Sequence, residues 1–230
     1  MGFKAVLFDM DGVICDTMPL HRQVWRQFAS THGITLSDVE WRKLDGRRAG
    51  DIVAAVFGVN DAAENLRLSE ARENLYREVL QTADLRAVAG VQACLEWLKE
   101  RGIPCVLATS ATSENVVQVL GTLGLTHYFS AIVSAQDVKN GKPDPEVYET
   151  AARRAGVHAS ECLVVEDAIQ GVQAAKSAGA TCLGLTTSEP ASALLAAGAV
   201  WVQDDLTFFE TGLGPDDSPL APWFHALSRP

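Results

Sequence analysis

Between residues 91 and 202 the chain alternates two kinds of segment, and that alternation limits the folds open to it. Short apolar runs at 104–108, 131–134, 163–165, 181–185 and 200–202 read as strands. Helix-like segments lie between them at 91–101, 113–123, 145–155, 168–177 and 190–197. Gly102, Gly124, Gly156, Gly179 and Gly198 each follow a helix, where a left-handed residue ends it with little steric strain. Strands that each return through a helix pair in parallel. The expected fold class is α/β, a doubly wound parallel sheet with helices on both faces.

The first strand lies near the start, in Lys4-Ala5-Val6-Leu7-Phe8, and runs into Asp9-Met10-Asp11-Gly12-Val13. Open parallel sheets bind ligands at the carboxyl ends of their strands. If the strand continues, Asp9 and Asp11 point to one side. Two carboxylates there repel unless a cation sits between them or one keeps its proton. A hard metal ion, a nucleophilic carboxylate and an acid/base partner all fit, and so does a simple turn after a strand.

The block that follows carries helical patterns and no convincing strand. Apolar residues recur at spacings of three and four from Leu20 to Phe28, with Gly33 ending that helix. A second amphipathic helix is expected over 66–80. The expected division is therefore a core from 1–17 and 90–230, with a helical cap inserted at 18–89. An insert rooted beside Asp11 is placed to act as a lid. The segment 204–230 reads as a terminal extension packed by Trp223 and Phe224.

The formal net charge of −10, with Arg47-Arg48 and Arg153-Arg154 only isolated pairs, argues against nucleic-acid and anionic-membrane partners. A small anionic substrate stays open, because local cations and backbone amides can hold it. Cys15, Cys94, Cys105, Cys162 and Cys182 are scattered and read as free thiols in a reducing compartment. Neither a signal-peptide pattern nor a membrane-length apolar run is read, so a soluble, cytoplasmic protein is expected. A monomer or weak dimer is expected.

Other strand ends also carry chemistry. Thr109 and Ser110 follow one strand, Gly141-Lys142-Pro143-Asp144-Pro145 another, and Glu166 and Asp167 a third. Singly, each has a plain reading: a helix N-cap, a solvated loop lysine, acidic residues at a helix start. Together, two acidic pairs, a hydroxyl and a lysine supply what phosphoryl transfer needs.

In this arrangement the chain resembles the haloacid dehalogenase superfamily, in the branch with a small helical cap after the first strand. The resemblance runs from Lys4 to about Leu185. It implies Asp9 as nucleophile, Asp11 as general acid/base, Thr109 and the amides near Ser110 as phosphoryl ligands, and Lys142 paired with Asp9. It implies Mg²⁺ held by Asp9, the Asp11 carbonyl and Asp167, with Glu166 a direct ligand or one step behind. An aspartate at position 11 argues against the dehalogenase and phosphonatase members.

The segment Asp16-Thr17-Met18-Pro19-Leu20-His21, with Trp25 one turn on, is similar to β-phosphoglucomutases and sugar-phosphate phosphatases. There the histidine matching His21 couples cap closure to the acid/base residue; a helix-surface histidine packed beside Trp25 is the alternative. The loop Asp45-Gly46-Arg47-Arg48-Ala49 departs from the mutase pattern Lys-Gly-Val-Ser-Arg: Asp45 replaces the lysine and Ala49 the phosphate-gripping arginine. Gly46, Arg47 or Arg48 is then expected to meet substrate from the cap. Arg72 matches a second cap cation of the mutases, or is an exposed helix arginine. Because the loop lacks one clear anchor of the mutases, the favoured expectation is a Mg²⁺-dependent phosphatase of small phosphorylated metabolites, chiefly sugar phosphates. The alternatives are a phosphoglucomutase-like isomerase and a non-catalytic phosphate-binding protein.

Overall fold

Strand β1, Ala5–Phe8, is buried along its whole length and lies inside a six-stranded sheet. The computed structural model describes residues 2–209 and 221–223. The other strands are β2 (Cys105–Ala108), β3 (Phe129–Val133), β4 (Cys162–Glu166), β5 (Thr181–Leu185) and β6 (Trp201–Gln203). They run parallel in the order β3-β2-β1-β4-β5-β6. The order reverses at β1, and open α/β sheets bind ligands at such a switch point.

The pleat sorts β1 between two cores. Val6 and Phe8 pack with residues of helices α5 (Val91–Glu100) and α6 (Ser113–Leu123). Ala5 and Leu7 face α7 (Glu146–Arg154), α8 (Ile169–Ser177) and α9 (Ala191–Ala197). A strand covered on both faces needs a continuous apolar run rather than an alternating one, as β1 has. Fully burying each such leucine or phenylalanine stabilises the fold by about 1.5–3 kcal/mol.

Between β1 and α5 come α1 (Met18–Thr31), α2 (Asp38–Arg42), α3 (Ala49–Phe57) and α4 (Ala62–Leu80). These helices bury a cluster of their own, including Trp25, Phe28, Trp41, Ile52, Val53 and Leu68. The chain returns beside its exit, where Val88 donates its N–H to the Ile14 carbonyl at 3.0 Å. The expected lid helix that was to end at Gly33 ends at Thr31, with Gly33 at φ 72° just beyond.

One local expectation is corrected. β1 stops at Phe8, so Asp9 and Asp11 do not continue the strand pleat. They lie in a turn closed by N–H groups of Ile14 and Cys15 on the Met10 carbonyl. All five cysteines are free and buried. Trp223 packs edge-on against Phe3 and Trp97, while Phe224 lies outside the described residues. Among the described residues, no helix is long and apolar enough to cross a membrane.

Candidate active site

The carboxyl ends of β1, β2 and β4 meet at a small cavity roofed by α1–α4. Asp9 forms its floor. The Lys142 ammonium donates to Asp9 Oδ1 at 2.7 Å and to Glu166 Oε1 at 2.6 Å, and all three groups are buried. Burial raises the Asp9 carboxyl to about 7, with Glu166 and Asp11 adding to the rise against the pull of Lys142. Burial works against the Lys142 ammonium, but Asp9 and Glu166 outweigh it and raise its pKa.

Glu166 is fully committed. Its Oε1 accepts from Lys142 and from the Tyr148 hydroxyl at 2.8 Å. Its Oε2 accepts from the N–H groups of Asp167 and Ala168 at 2.8 and 2.9 Å. Four donors occupy a carboxylate's lone pairs, so Glu166 fixes Lys142 rather than offering a free oxygen. Of the two expectations for Glu166, a direct ligand or one step behind, these bonds favour the second. The packing demands a glycine at 171, where a Cβ would lie 1.6 Å from Glu166 Oε1.

A cation fits the remaining donors. Buried ligand oxygens of Asp9, Glu166 and Asp167 lie within 4.8 Å of one another. Burial raises the Asp167 carboxyl well above its usual range, with Glu166 and Asp9 adding to it. Closely spaced buried carboxylates, hard oxygen donors only, suit a hard divalent cation such as Mg²⁺. Gly12 keeps this cradle open: at φ 80°, any Cβ there would sit 1.9 Å from Asp167 Oδ2.

Asp11 faces the cap. It accepts from Thr17 Oγ1 at 2.5 Å and pairs with His21 Nε2 at 3.1 Å. Burial pushes its carboxyl up, but His21, Thr17 and Arg72 together outweigh burial and hold it below the usual range. Arg72 Nη2 lies 2.7 Å from His21 Nδ1. A guanidinium only donates, so Nδ1 accepts and Nε2 carries the proton given to Asp11. His21 also stacks on Tyr76, with ring centroids 3.9 Å apart. It is thus an ordered member of the site and not a surface histidine.

Arg72 overturns the exposed-arginine reading. It is 2 % exposed, lies over the Trp25 ring at 4.5 Å, and pairs with Glu73 at 2.8 Å. Glu73 accepts in turn from Asn115 Nδ2, at the start of α6, at 2.6 Å. A buried polar chain therefore leaves the sheet at Asp11, crosses two cap helices and re-enters the core at α6.

Thr109 is buried, with Oγ1 accepting from the Ala111 N–H at 3.1 Å. Ser110 Oγ donates to the Gly46 carbonyl at 2.7 Å, tying the core to the cap loop. Arg47 lines the cavity, and its buried Nε has no hydrogen-bond partner. Arg48 turns away, bonding to Asp51 and to the Val138 carbonyl. Of the two candidate arginines, only Arg47 is brought to the cavity. Sequence reasoning missed Arg22, whose Nη2 holds Asp45 Oδ2 at 2.5 Å in the cavity wall. It also missed Glu73, Asn115 and Tyr148, which act through neighbours and carry no motif.

A family model described as haloacid dehalogenase-like hydrolase matches residues 3–179. The chain is 36% identical over 204 residues to the phosphorylated carbohydrates phosphatase of Thermotoga maritima, covering 86% of this chain and 92% of that protein. It is 33% identical to the fructose-1-phosphate phosphatase of Escherichia coli, over 77% of this chain and 93% of the other. The solved β-phosphoglucomutase of Clostridium difficile superposes with a TM-score of 0.78 at 28% identity, covering 89% of this chain and 92% of that one. With the motif residues gathered at the carboxyl ends of the central strands and the family model spanning most of the chain, this protein belongs to the haloacid dehalogenase-like hydrolases.

Proposed function

We propose that this protein hydrolyses small phosphorylated metabolites, chiefly sugar phosphates, through an aspartyl-phosphate on Asp9. The observation that carries the reading is the contrast between the two aspartates. Asp9 is clamped through Oδ1 by Lys142, which leaves Oδ2 to attack phosphorus. Asp11, facing the same cavity, is bonded to His21 and Thr17 instead. In the first step Asp9 Oδ2 forms a bond to phosphorus and the ester P–O bond breaks, with Asp11 protonating the departing alkoxide. In the second, water attacks phosphorus, Asp11 takes its proton, and the Asp9 carboxylate is released. Mg²⁺, held by Asp9, Asp167 and the Asp11 carbonyl, would offset the charge of the phosphoryl oxygens. Thr109 and the amides near Ser110 would bind those oxygens beside Lys142.

The names of the relatives at 36% and 33% identity support a sugar-phosphate substrate. The cavity over Asp9 is small and is walled by Arg22, Trp25, Asp45 and Arg47 from the inserted helices and loops. We therefore read 18–89 as a cap domain that opens to admit substrate and closes through Ser110 and Asn115. The five buried free thiols suit a cytoplasmic protein.

The test is a paired product assay with the Asp9→Asn variant. Purified enzyme with Mg²⁺ should release inorganic phosphate from hexose phosphates, and Asp9→Asn should abolish release while keeping its fold. Glucose 6-phosphate formed from β-glucose 1-phosphate and a bisphosphate primer, without free phosphate, would establish the mutase instead. Turnover surviving in Asp9→Asn would remove Asp9 as nucleophile.

A further inference from the structure

A second, larger cavity of about 900 Å³ lies where α3 and α4 face the start of α6. Ala49, Glu73 and Ser110 line both this cleft and the small cavity over Asp9. At that junction Ala49 presents only a methyl group. The cleft lies open in the same structure in which Ser110 holds Gly46, Asn115 holds Glu73, and Gln170 holds the Lys43 carbonyl at 2.8 Å.

The lining states what the cleft suits. Uncharged hydrogen-bonding side chains, among them Asn60, Asn65, Ser69, Asn74, Thr112 and Gln136, share the lining with small and apolar residues such as Ala54, Ala62 and Leu66. Asn65 and Asn74 keep further hydrogen-bonding capacity beside their bonds to Gly50 and Arg77. Amides and hydroxyls can both give and accept, which matches sugar hydroxyls. Charge opposes a second phosphate. Asp51, Glu70, Glu73 and Glu114 face only Arg48 and Arg77. Both of those cations are engaged: Arg48 with Asp51, Arg77 with Asn74 at 2.6 Å and with Asn115. Among the described residues no aromatic ring lines the cleft, whereas Trp25 and Trp41 line the small cavity.

We propose that this cleft is a binding subsite for an uncharged, polyhydroxylated extension of the leaving group, such as a second sugar ring. The preferred substrate is then a monophosphorylated glycoside, with its phosphate on Asp9 and its distal ring in the cleft. The inference rests on the phosphatase reading above and narrows its substrate class.

The experiment compares kcat/KM for glucose 6-phosphate and trehalose 6-phosphate, with p-nitrophenyl phosphate as a generic ester. Ser69→Trp and the more exposed Asn74→Trp each project a ring into the cleft from α4. The unaltered enzyme should use trehalose 6-phosphate at least as efficiently as glucose 6-phosphate. Each variant should lose at least tenfold more on the disaccharide phosphate than on the monosaccharide phosphate. A hundredfold preference of the unaltered enzyme for glucose 6-phosphate, or equal losses on both substrates in both variants, would overturn the subsite. Absence of hydrolysis of all three esters would instead defeat the phosphatase reading.

Discussion

At the scale of single residues, proton placement is set by Arg72. Its guanidinium fixes which nitrogen of His21 donates, and His21 with Thr17 keeps Asp11 ionised into the acid range. An ionised Asp11 suits the attack of water and hinders departure of an alkoxide, which needs a proton. The rate on an alkyl phosphate, taken relative to that on p-nitrophenyl phosphate so that the titration of Asp9 cancels, should therefore fall as pH rises above the range in which Asp11 holds its proton. p-Nitrophenyl phosphate, whose leaving anion needs no proton, should give a much flatter profile. Parallel profiles for the two esters would show that Asp11 is not the proton donor. The motif residues were legible because each follows an apolar strand, and strand ends converge by topology. Arg72 was not: α4 carries charge on several faces, and nothing in its spacing tells which arginine turns inward. Glu73 was equally hidden, since its partner Asn115 lies 42 residues away on another helix.

At the scale of elements, α4 is bolted to α6. Glu73 and Arg77 reach Asn115 from one helix, and Gln118 of α6 donates to the Arg77 carbonyl. Asn115→Ala leaves the buried Glu73 carboxylate short of a donor, a loss of about 1–3 kcal/mol. The expected outcome is about tenfold lower kcat/KM on a sugar phosphate, a smaller loss on p-nitrophenyl phosphate, and faster amide exchange in α4. Unchanged exchange and kinetics would leave the contact without a role in closure. The helices and strands of the sheet were read within about two residues of their places, because glycines punctuate them. The strand ends were less legible: β1 stops before Asp9, where Gly12 allows a turn that propensity alone does not announce.

At the scale of the whole molecule, the protein concentrates its buried carboxylates where a cation belongs, which makes its stability depend on metal and pH together. An unfolded aspartate loses its proton near 3.8, whereas folded Asp9 keeps it to about 7. Between those values the folded state binds the extra proton, so stability of the metal-free protein should fall as pH rises through this window and stay low above it. EDTA should stop turnover, and restoring Mg²⁺ should raise Tm by more at pH 7.5 than at pH 5, as read by scanning calorimetry. Equal gains at the two pH values would separate the metal from these carboxylates. The sheet order has a further consequence, for synthesis. β1 leaves the ribosome first but pairs with β2 and β4, and Asp9 meets Lys142 only across 133 residues. Until that length has been made, the nascent chain carries an apolar strand with neither neighbour and an acidic turn with no counter-ion. The buried cluster is thus completed late, and a truncated product ending before Lys142 has Asp9 without the ammonium that holds it.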